Sequence, residues 1–431
     1  SRDFVVGARI NGNDFVEGGN DLAACTEIAK YLEPYVDYFN VSCGVYASAP
    51  TMIEPCYSPE GWRKNLAKTI KAAVNVPVIA VNTIKHPETA ERFLQEGVSD
   101  FVGMSRMQLA DPDVVKKAMA GREDLIRKCL GCMNCNKSVV AGKNLHCAIN
   151  PVTGRATVYG DENLVKTGAG RTVAVVGGGP GGMQAALTAA ERGHDVTLCE
   201  KSDHLGGLIN VVVEAPFKDE YRRYLNLKIR KVKESNIDLR MNTFMSPEDA
   251  KAFGADVVIL AIGAHPIKPP FPGADLPMVH TIDEVRSIEV GKNVVIIGGG
   301  PQGAEEGLVL QQEGKNVTVV EMRDQICLGA PYLHYTAVNK EYLKEGAPKA
   351  LVNSKCISIS SEGVLIENVQ TGEQTLCPAD TVLLAIGMRA DLDEVEAYRD
   401  CALEFRKIGD CNKPATMTEA VRLGYDVAFG L

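Results

Sequence analysis

The sequence lacks the features that would direct it to a membrane, to secretion or to nucleic acid. No apolar run reaches about 18 residues, which excludes a transmembrane helix. No basic stretch followed by an apolar segment opens the chain, so we expect no secretory signal and a cytoplasmic protein. The formal net charge of -9 disfavours nucleic acid as a partner. The expected partners are therefore small molecules, and homo-oligomerisation stays open.

A disulfide framework is also expected to be absent, although the chain has 13 cysteines. Such frameworks are unusual in a large chain without a secretory signal. Nine cysteines are scattered through strand-like and helical surroundings, which is typical of buried free thiols. The other four form a cluster, and only they are candidate ligands. They are Cys129, Cys132, Cys135 and Cys147.

The 431 residues are too many for one ordinary domain, and at about 150 residues each they predict roughly three. The chain begins with Ser1 rather than Met, and it stops at Leu431 within a helical pattern. We therefore expect it to be part of a longer polypeptide.

The first 120 residues alternate between strand and helix patterns. The expected elements are a strand over 4–10, a helix over 22–32, a strand over 38–42, a helix over 59–74, a strand over 77–81, a helix over 87–96, a strand over 100–103 and a helix from 112. Four such units make half of an eight-fold (β/α)8 barrel. The predicted class is α/β, with the C-terminal half of a barrel over residues 1–124.

A second pattern occurs twice after residue 170. In each copy an apolar strand runs into a glycine-rich loop, then a helix, then a second strand that ends in an acid. The glycines are Gly177, Gly179 and Gly182 in the first copy and Gly298, Gly300 and Gly303 in the second. The acids are Glu200 and Glu321, at the same distance from the first glycine of their motifs. This pattern predicts two Rossmann-type dinucleotide-binding domains.

Each glycine of the motif has a physical task. The first permits a tight turn, the second lets the backbone approach a pyrophosphate, and the third allows close helix packing. The helix N-terminus then faces the negative charge. The acid is expected to accept hydrogen bonds from ribose hydroxyls.

The cysteine cluster reads Cys129-x2-Cys132-x2-Cys135-x11-Cys147. Four soft thiolates suit a [4Fe-4S] centre or zinc. Three closely spaced cysteines and a distant fourth fit zinc less well, since zinc favours two separated pairs. Iron–sulfur is the preferred interpretation, with structural zinc and unligated thiols as the alternatives.

These motifs together resemble the Old Yellow Enzyme-like proteins that are fused to an iron–sulfur site and an FAD/NAD(P) reductase. That family includes 2,4-dienoyl-CoA reductase, 2-enoate reductases, bile-acid-inducible enone reductases and trimethylamine dehydrogenase. The order of the motifs carries the resemblance, together with three short segments. These are Arg9-Ile-Asn-Gly12, the stretch from Ser105-Arg106 to Asp113, and Cys129-Leu-Gly-Cys132.

The resemblance implies FMN in the half-barrel. Arg9 matches the arginine that contacts the flavin ring near N1 and O2, and Arg106 matches the ligand of the FMN phosphate. Backbone groups of Asn82, Thr83 and Ser105 would assist Arg106. Spacing alone leaves surface salt bridges as the alternative for both arginines.

The resemblance also implies FAD in the first Rossmann domain and a nicotinamide in the second. Gly206 and Gly207 match a loop that closes over FAD, and Asp410 matches the aspartate that holds its ribityl chain, with a turn residue as the alternative. Glu321 favours NADH because an acid there repels a 2′-phosphate. Arg323, two residues on, leaves NADPH open.

The expected organisation follows from these assignments. Residues 1–124 form the FMN half-barrel, 125–150 the iron–sulfur segment, 151–170 a linker, 171–285 the first part of the FAD domain, 286–390 the NAD(P) domain and 391–431 the FAD return segment. The implied electron path runs from NADH to FAD, to [4Fe-4S], to FMN and to an activated C=C bond of an enoate, enoyl-CoA or enone. Three rivals stay open: an amine dehydrogenase, an electron-transfer subunit like that of glutamate synthase, and an inactive or diaphorase-only fragment.

Two departures from the family bear on the reaction. The loop from Gly44 to Tyr57 contains no histidine, which argues against dienoyl-CoA chemistry in particular. The family's proton-donating tyrosine lies in an earlier part of the barrel and has no counterpart in this chain. The catalytic assignment is therefore limited to Arg9.

Overall fold

The computed structural model describes residues 3–81, 83–166 and 170–431. The chain divides into two compact units. Unit 1 comprises Ser1–Met133 and Pro331–Ala337, and unit 2 comprises Asn134–Ala330 and Val338–Leu431. Over the described ranges, every helix is too short or too polar to cross a bilayer.

Unit 1 consists of four parallel β/α units in consecutive order. Its strands are β1 (Gly7–Asn11), β2 (Tyr38–Ser42), β3 (Val78–Val81) and β4 (Phe101–Gly103). Its helices are α1 (Leu22–Leu32), α2 (Ala49–Met52), α3 (Lys64–Ala73), α4 (Pro87–Gln95), α5 (Ser105–Ala110) and α6 (Val114–Met119). The sheet order is β1-β2-β3-β4, and every pairing is parallel. This is the arrangement of half a (β/α)8 barrel, as predicted.

The helices of unit 1 cover one face of its sheet. Phe39 and Val41 of β2 are buried together with Leu66 and Ile70 of α3. Because side chains alternate along a strand, Arg9, Asn40 and Ser42 project from the opposite face. The polar residues of β1 and β2 therefore share the face that the helices leave uncovered.

Two predicted boundaries in unit 1 were wrong. The first strand begins at Gly7 rather than at residue 4, because its partner β2 begins only at Tyr38. The second long helix begins at Lys64 rather than at residue 59, because turns precede it and Gly61 takes a left-handed φ of 70°. The helix expected from residue 112 is present as α6, which begins at Val114, and the short helix α5 before it was not predicted.

Unit 2 opens with two short helices and then forms a parallel sheet. Its first strands are β5 (Thr172–Val176), β6 (Asp195–Cys199), β7 (Asp238–Arg240) and β8 (Val257–Leu260). The helices over this stretch are α7 (Asn134–Val140), α8 (Ala156–Tyr159), α9 (Pro180–Glu191), α10 (Ile209–Val212), α11 (Asp219–Glu234) and α12 (Pro247–Phe253). Helix α8 lies inside the segment that was expected to be a linker. Its Tyr159 ring packs against the ring of Phe429, with the two ring centroids 5.1 Å apart.

This part of the chain forms a second parallel sheet and two small antiparallel sheets, one of three strands and one of two. The strands are β9 (His265–Pro266), β10 (Val279–Thr281), β11 (Asn293–Ile297), β12 (Asn316–Val320), β13 (Lys349–Leu351), β14 (Ser354–Ser360), β15 (Gly363–Asn368), β16 (Gln374–Pro378), β17 (Thr381–Leu384) and β18 (Met388–Arg389). The helices are α13 (Pro301–Gln312) and α14 (Tyr332–Tyr342). The parallel sheet has the order β10-β17-β11-β12-β13.

The end of the chain returns to the first parallel sheet of unit 2. The last elements are α15 (Leu392–Ala397), β19 (Glu404–Lys407) and α16 (Met417–Phe429). Strand β19 pairs with β8 and completes the order β19-β8-β5-β6-β7. The second nucleotide fold is therefore inserted into the first, and the predicted nested class is confirmed.

Helix α16 lies directly against α9. A Cβ atom on Gly424 would overlap the carbonyl oxygen of Gly181, so only glycine allows the two backbones to approach this closely. The contact holds the return segment beside the helix that follows the first glycine-rich loop.

Candidate functional site: two nucleotide loops, a polar strand edge and a cysteine segment

The first glycine-rich loop joins β5 to α9. A Cβ on Gly182 would overlap the carbonyl oxygen of Gly177, which explains the third glycine of the motif as a packing requirement. Gly179 is the N-cap of α9, and no atom of the described residues lies within 4 Å of the place where its Cβ would be. The backbone of the loop therefore faces open space at the N-terminus of a 12-residue helix.

Glu200 follows β6 and braces this loop. Its Oε2 accepts a hydrogen bond from the N–H of Gly178 at 2.7 Å, and its Oε1 accepts from the N–H of Ser202 at 2.8 Å. The carboxylate is buried. The sequence predicted a ribose contact for this acid, and its role in fixing the loop was missed.

The loop predicted to close over FAD lies against the same glycines. The N–H of Gly206 donates to the carbonyl of Gly178 at 2.9 Å, and a Cβ on Gly207 would come within 3.5 Å of the Gly179 Cα. Both residues have left-handed φ angles, 116° and 53°. Gly178 and Gly179, together with Gly206 and Gly207, therefore form one surface of backbone atoms without side chains.

Asp410 lies between β19 and α16. Its Oδ1 accepts from the N–H of Ala415 at 3.0 Å, and burial raises the pKa of Asp410 although that hydrogen bond opposes the change. This loop leads into α16, which is capped by Thr416. The aspartate therefore occupies the return segment, as the sequence predicted, with part of its hydrogen-bonding capacity used by the loop.

The second glycine-rich loop repeats the geometry of the first. Gly300 caps α13 and faces open space in the same way as Gly179, and a Cβ on Gly303 would overlap the carbonyl of Gly298. The N–H of Gly299 donates to Glu321 Oε2 at 2.9 Å. The two copies are equivalent at each of these positions.

The loop after Glu321 differs from its counterpart in two ways. Arg323 donates to Glu321 Oε1 through its backbone N–H and through Nε, both at 3.0 Å. Burial opposes ionisation of this carboxyl, but the hydrogen bonds and charge of Arg323 outweigh it and lower the pKa of Glu321. Cys327 donates its N–H to the carbonyl of Gly299 at 2.6 Å, the bond that Gly206 makes in the first copy.

Both loops fit a dinucleotide. Each offers open space above a glycine, backbone N–H groups at the start of a long helix, and a buried acid at the end of the second strand. These are the requirements for binding a pyrophosphate and its ribose.

In unit 1, Arg9 is held by two side chains of the neighbouring strand. It donates from Nη1 to Asn40 Oδ1 at 3.0 Å and from Nη2 to Ser42 Oγ at 3.0 Å. The guanidinium group therefore has a fixed position near the carboxyl ends of β1 and β2. Both of its partners are uncharged, so its positive charge is not neutralised by these contacts.

Arg106 belongs to a buried network that the sequence did not reveal. Its Nη1 donates to the Glu54 carbonyl at 2.6 Å, and its Nη2 lies 3.4 Å from Glu54 Oε2. The Glu54 side chain is fully buried, pairs with the buried Arg63, and accepts from Trp62 Nε1 at 3.0 Å. One buried carboxylate thus lies between two arginines.

The loop after β3 was predicted to assist in phosphate binding. Asn82 lies outside the described residues. Thr83 is buried with a φ of 46°, and its hydroxyl has no hydrogen-bond partner among the residues that the structure describes. Ser105 begins α5 after the next strand, β4. An unpartnered buried hydroxyl beside this strand edge fits a bound polar group.

The four clustered cysteines are divided between the units, two in each. All four are partly exposed, whereas eight of the other nine are buried, so these four are the only clustered thiols that are also accessible among the described residues. In unit 1, Cys129 packs against the buried Met107 and Val114. Gly131 takes a left-handed φ of 68° between Cys129 and Cys132.

In unit 2, Cys135 lies on α7 and Cys147 follows His146. Ser138 of α7 contacts His146 Nδ1 at 2.9 Å, which ties the helix to the segment that carries Cys147. Asn134 donates to Thr418 Oγ1 of α16 at 3.0 Å. The first turn of α7 is therefore attached to the return segment that also carries Asp410.

The sequence matches two family models. Residues 171–416 match the pyridine nucleotide-disulphide oxidoreductases, and residues 1–125 match the NADH:flavin oxidoreductase / NADH oxidase family. The two together define a flavin-dependent oxidoreductase that uses a pyridine nucleotide. The chain belongs to the family in which these modules are joined, the 2,4-dienoyl-CoA reductase-like oxidoreductases. Membership implies FMN, FAD and NAD(P)H as cofactors.

Named relatives cover nearly all of the chain. It is 35% identical over 440 residues to an NADH oxidase of Thermoanaerobacter brockii, covering 99% of this chain and 66% of that protein. It is 34% identical over 424 residues to a cinnamate reductase of Clostridium sporogenes, covering 96% of this chain and 62% of that protein. A solved complex of 2-naphthoyl-CoA reductase with 2-naphthoyl-CoA superposes with a TM-score of 0.90 at 29% identity, covering 98% of this chain and 64% of that chain. The chain thus spans about two thirds of the length of these relatives.

Proposed function

We propose that the protein is an NADH-dependent flavin and iron–sulfur oxidoreductase that reduces an activated C=C bond. The observation that carries the proposal is the nesting of two equivalent nucleotide folds in a chain that begins with a half-barrel, whose strand edge carries Arg9 and Arg106. The named activities of the relatives support it, since they include an NADH oxidase and reductases of cinnamate and 2-naphthoyl-CoA.

The first nucleotide fold is proposed to hold FAD. The bare surface of Gly179, Gly206 and Gly207 would receive the pyrophosphate, and Glu200 the ribose. Asp410 would bind the ribityl chain. A cofactor that stays bound is favoured by a loop that closes over it. Among the described residues, only the first fold has two consecutive glycines with left-handed φ in the loop after its acid, Gly206 and Gly207.

The second fold is proposed to hold the nicotinamide, through Gly298, Gly300, Gly303 and Glu321. Glu321 keeps a negative charge at the ribose position because its pKa is lowered, and this favours NADH over NADPH. Arg323 partly neutralises that charge from 3.0 Å. We therefore expect a preference for NADH rather than exclusion of NADPH.

The half-barrel is proposed to hold FMN. Arg9, fixed by Asn40 and Ser42, would place a positive charge at the flavin ring and stabilise negative charge there. Arg106 and Ser105 would hold the phosphate, with backbone groups of Thr83 and Asn82. When bound, the flavins and the cluster supply transfer of hydride and of single electrons.

The four cysteines are proposed to bind a [4Fe-4S] cluster. Their spacing supports this, as does their exposure relative to the buried thiols elsewhere. Replacing Cys135 or Cys147 by serine should abolish bound iron in anaerobically purified protein, while Cys356→Ser, a half-buried thiol outside the segment, should retain it. Zinc in place of iron would contradict the assignment.

The substrate class is tested by supplying two kinds of substrate to the anaerobic protein. Cinnamate with NADH should yield the saturated acid and one NAD⁺ for each double bond reduced. A methylated amine with an artificial electron acceptor should give no product. Oxidation of the amine together with an unreacted cinnamate would favour an amine dehydrogenase and reject the proposal.

A further inference from the structure

Asp111 is a buried carboxylate that joins three neighbouring segments of unit 1. It follows α5 directly and is 0% exposed. Its Oδ1 accepts from the N–H of Asp113 at 3.2 Å, and its Oδ2 accepts from Lys117 Nζ at 2.6 Å and from the N–H of Arg127 at 2.9 Å. Hydrogen bonds to a carboxylate are roughly twice as strong as those between neutral groups. The end of α5, helix α6 and the segment after it are therefore held at one point.

The bond to Arg127 lies two residues before Cys129, the first thiol of the cysteine cluster. Ile126, the residue before Arg127, is buried with Met107 of α5 and Val114 of α6, and Cys129 packs against this group. The approach to the thiol is thus fixed by a hydrogen bond to a buried carboxylate and by a small apolar contact. The carboxylate acts on a backbone atom, so it holds the chain itself at the entrance to the cysteine segment.

The other end of the Cys129–Cys132 turn is also attached to α5. Met133 is 1% exposed, and its Sδ lies 4.0 Å from Nη1 of Arg106, the second residue of that helix. Between the cysteines, Gly131 has a φ of 68°, and a Cβ there would lie 2.9 Å from the backbone nitrogen of Cys56. The chain around the two thiols is therefore packed, while the thiols themselves stay partly exposed.

We propose that Asp111 is a positioning residue for the metal cluster. Its bond to the N–H of Arg127 would hold Cys129 and Cys132 against α5, so that both thiols keep one arrangement before and after the cluster binds. Asp111 and Arg106 stand at opposite ends of that six-residue helix, so the two attachments belong to one rigid element. Groups that orient metal ligands affect how tightly the metal is held. This inference rests on the proposed [4Fe-4S] cluster.

The test uses Asp111→Asn in the full chain, purified anaerobically with its iron and flavins. Asparagine offers one acceptor oxygen and no charge, so the bond to the N–H of Arg127 is weakened. Iron release to a chelator should become about tenfold faster, as expected for the loss of one hydrogen bond to a charged group. The electron paramagnetic resonance spectrum of the dithionite-reduced cluster should also change, because Cys129 is no longer held in one orientation.

Lys117→Met is the matched control. It also removes a partner of Asp111, at 2.6 Å, but keeps the carboxylate that accepts from Arg127. We expect it to lower the midpoint of urea unfolding, while its iron release rate and its spectrum stay those of the parent. A second pair of variants serves if Asp111→Asn does not fold. Arg127→Pro removes the donor N–H and follows an extended Ile126 with ψ 125°, the conformation that precedes proline, whereas Arg127→Ala keeps the N–H.

Two outcomes would overturn the inference and leave the cluster standing. A release rate and a spectrum of Asp111→Asn equal to those of the parent would mean that Asp111 does not position the thiols. Equal changes in Asp111→Asn and Lys117→Met would mean a general loss of stability. In the second pair, equal behaviour of Arg127→Pro and Arg127→Ala decides against the inference in the same way. A parent chain that binds zinc or no metal would reject the proposed cluster itself.

Discussion

Glu321 holds the loop that precedes it, since its Oε2 accepts the N–H of Gly299 at 2.9 Å. Glu200 does the same for Gly178 at 2.7 Å in the first nucleotide fold. Each acid therefore fixes the glycine-rich loop, in addition to the ribose contact proposed for it. Since the two folds are built alike, variants of one supply controls for the other.

Replacing Gly300 by alanine should weaken nucleotide binding without affecting the fold. The added methyl group would contact no described residue within 4 Å, and the residue's φ of -62° is open to alanine. The methyl would instead occupy the approach of the pyrophosphate. We expect NADH affinity to fall at least about tenfold through lost charged hydrogen bonds, with the thermal midpoint unchanged.

Two matched variants test this interpretation of Gly300. Gly179→Ala should lower FAD occupancy and leave the NADH affinity of the protein that retains FAD unchanged. Gly303→Ala should destabilise the fold, because its Cβ would overlap the Gly298 carbonyl. If Gly300→Ala binds NADH normally, the second loop is not the nicotinamide site.

Glu321→Gln should shift the nucleotide preference toward NADPH. Glutamine keeps an oxygen that accepts from Gly299 but removes the charge that repels a 2′-phosphate, and it leaves Arg323 without its ion pair. We expect the ratio of the flavin reduction rate with NADPH to that with NADH to rise about tenfold. This corresponds to about 1.4 kcal/mol of interaction free energy. Glu200→Gln should not change this ratio, and a shift of equal size in that control would contradict the assignment.

The nucleotide folds could be predicted from sequence because their geometry depends on local patterns. Gly177, Gly182 and the strand before them are close in sequence. A Cβ added to Gly182 would overlap the Gly177 carbonyl oxygen, so the need for glycine can be recognised from the local motif. The nesting was confirmed by the pairing of β19 with β8.

The buried ionic network of unit 1 could not be predicted in this way. Glu54, Arg63 and Arg106 come from three different segments. In sequence, Glu54 and Arg63 have the appearance of ordinary surface residues, and nothing connects either of them with Arg106. Only the fold reveals that Glu54 is fully buried. The start of the helix at Lys64 was missed because the pattern did not reveal the turns before it, where Gly61 takes a left-handed φ of 70°.

Glu54→Gln should destabilise unit 1. Removing one partner of a buried ion pair leaves an uncompensated charge, here Arg63, and we expect the free energy of unfolding to fall by about 3 kcal/mol. The only tryptophan of the chain, Trp62, donates to Glu54 at 3.0 Å, so its fluorescence during urea unfolding reports on this site. Glu96→Gln breaks a solvent-exposed ion pair with Lys64 and should leave the midpoint of the urea unfolding transition unchanged. Equal effects of the two variants would contradict the assigned burial.

Glu306 should make the stability of unit 2 depend on pH. Burial raises the pKa of Glu306 from 4.5 to about 7, with Glu313 adding to the rise and Arg286 opposing it. Between these pH values the folded state binds more protons than the unfolded state, so stability falls as pH rises from 4.5 to 7. The decrease from this carboxyl should be of order 3 kcal/mol.

The variant Glu306→Gln isolates this effect, because it keeps the shape and removes the titration. Urea unfolding followed by circular dichroism at several pH values should show a flatter profile for the variant across that interval. Arg286 retains Glu313 at 3.1 Å as a partner. Parallel profiles of the variant and the parent would show that Glu306 titrates normally.

An anaerobic NADH titration of the purified protein, with flavin and iron quantified beforehand, tests the proposed function most directly. Absorbance is recorded after each addition, and NADPH is used in a parallel series. Bleaching of the flavin band by NADH, accompanied by a decline of the broad iron–sulfur absorbance, is the predicted result. A protein that contains flavin and iron but is bleached by neither nucleotide would contradict it.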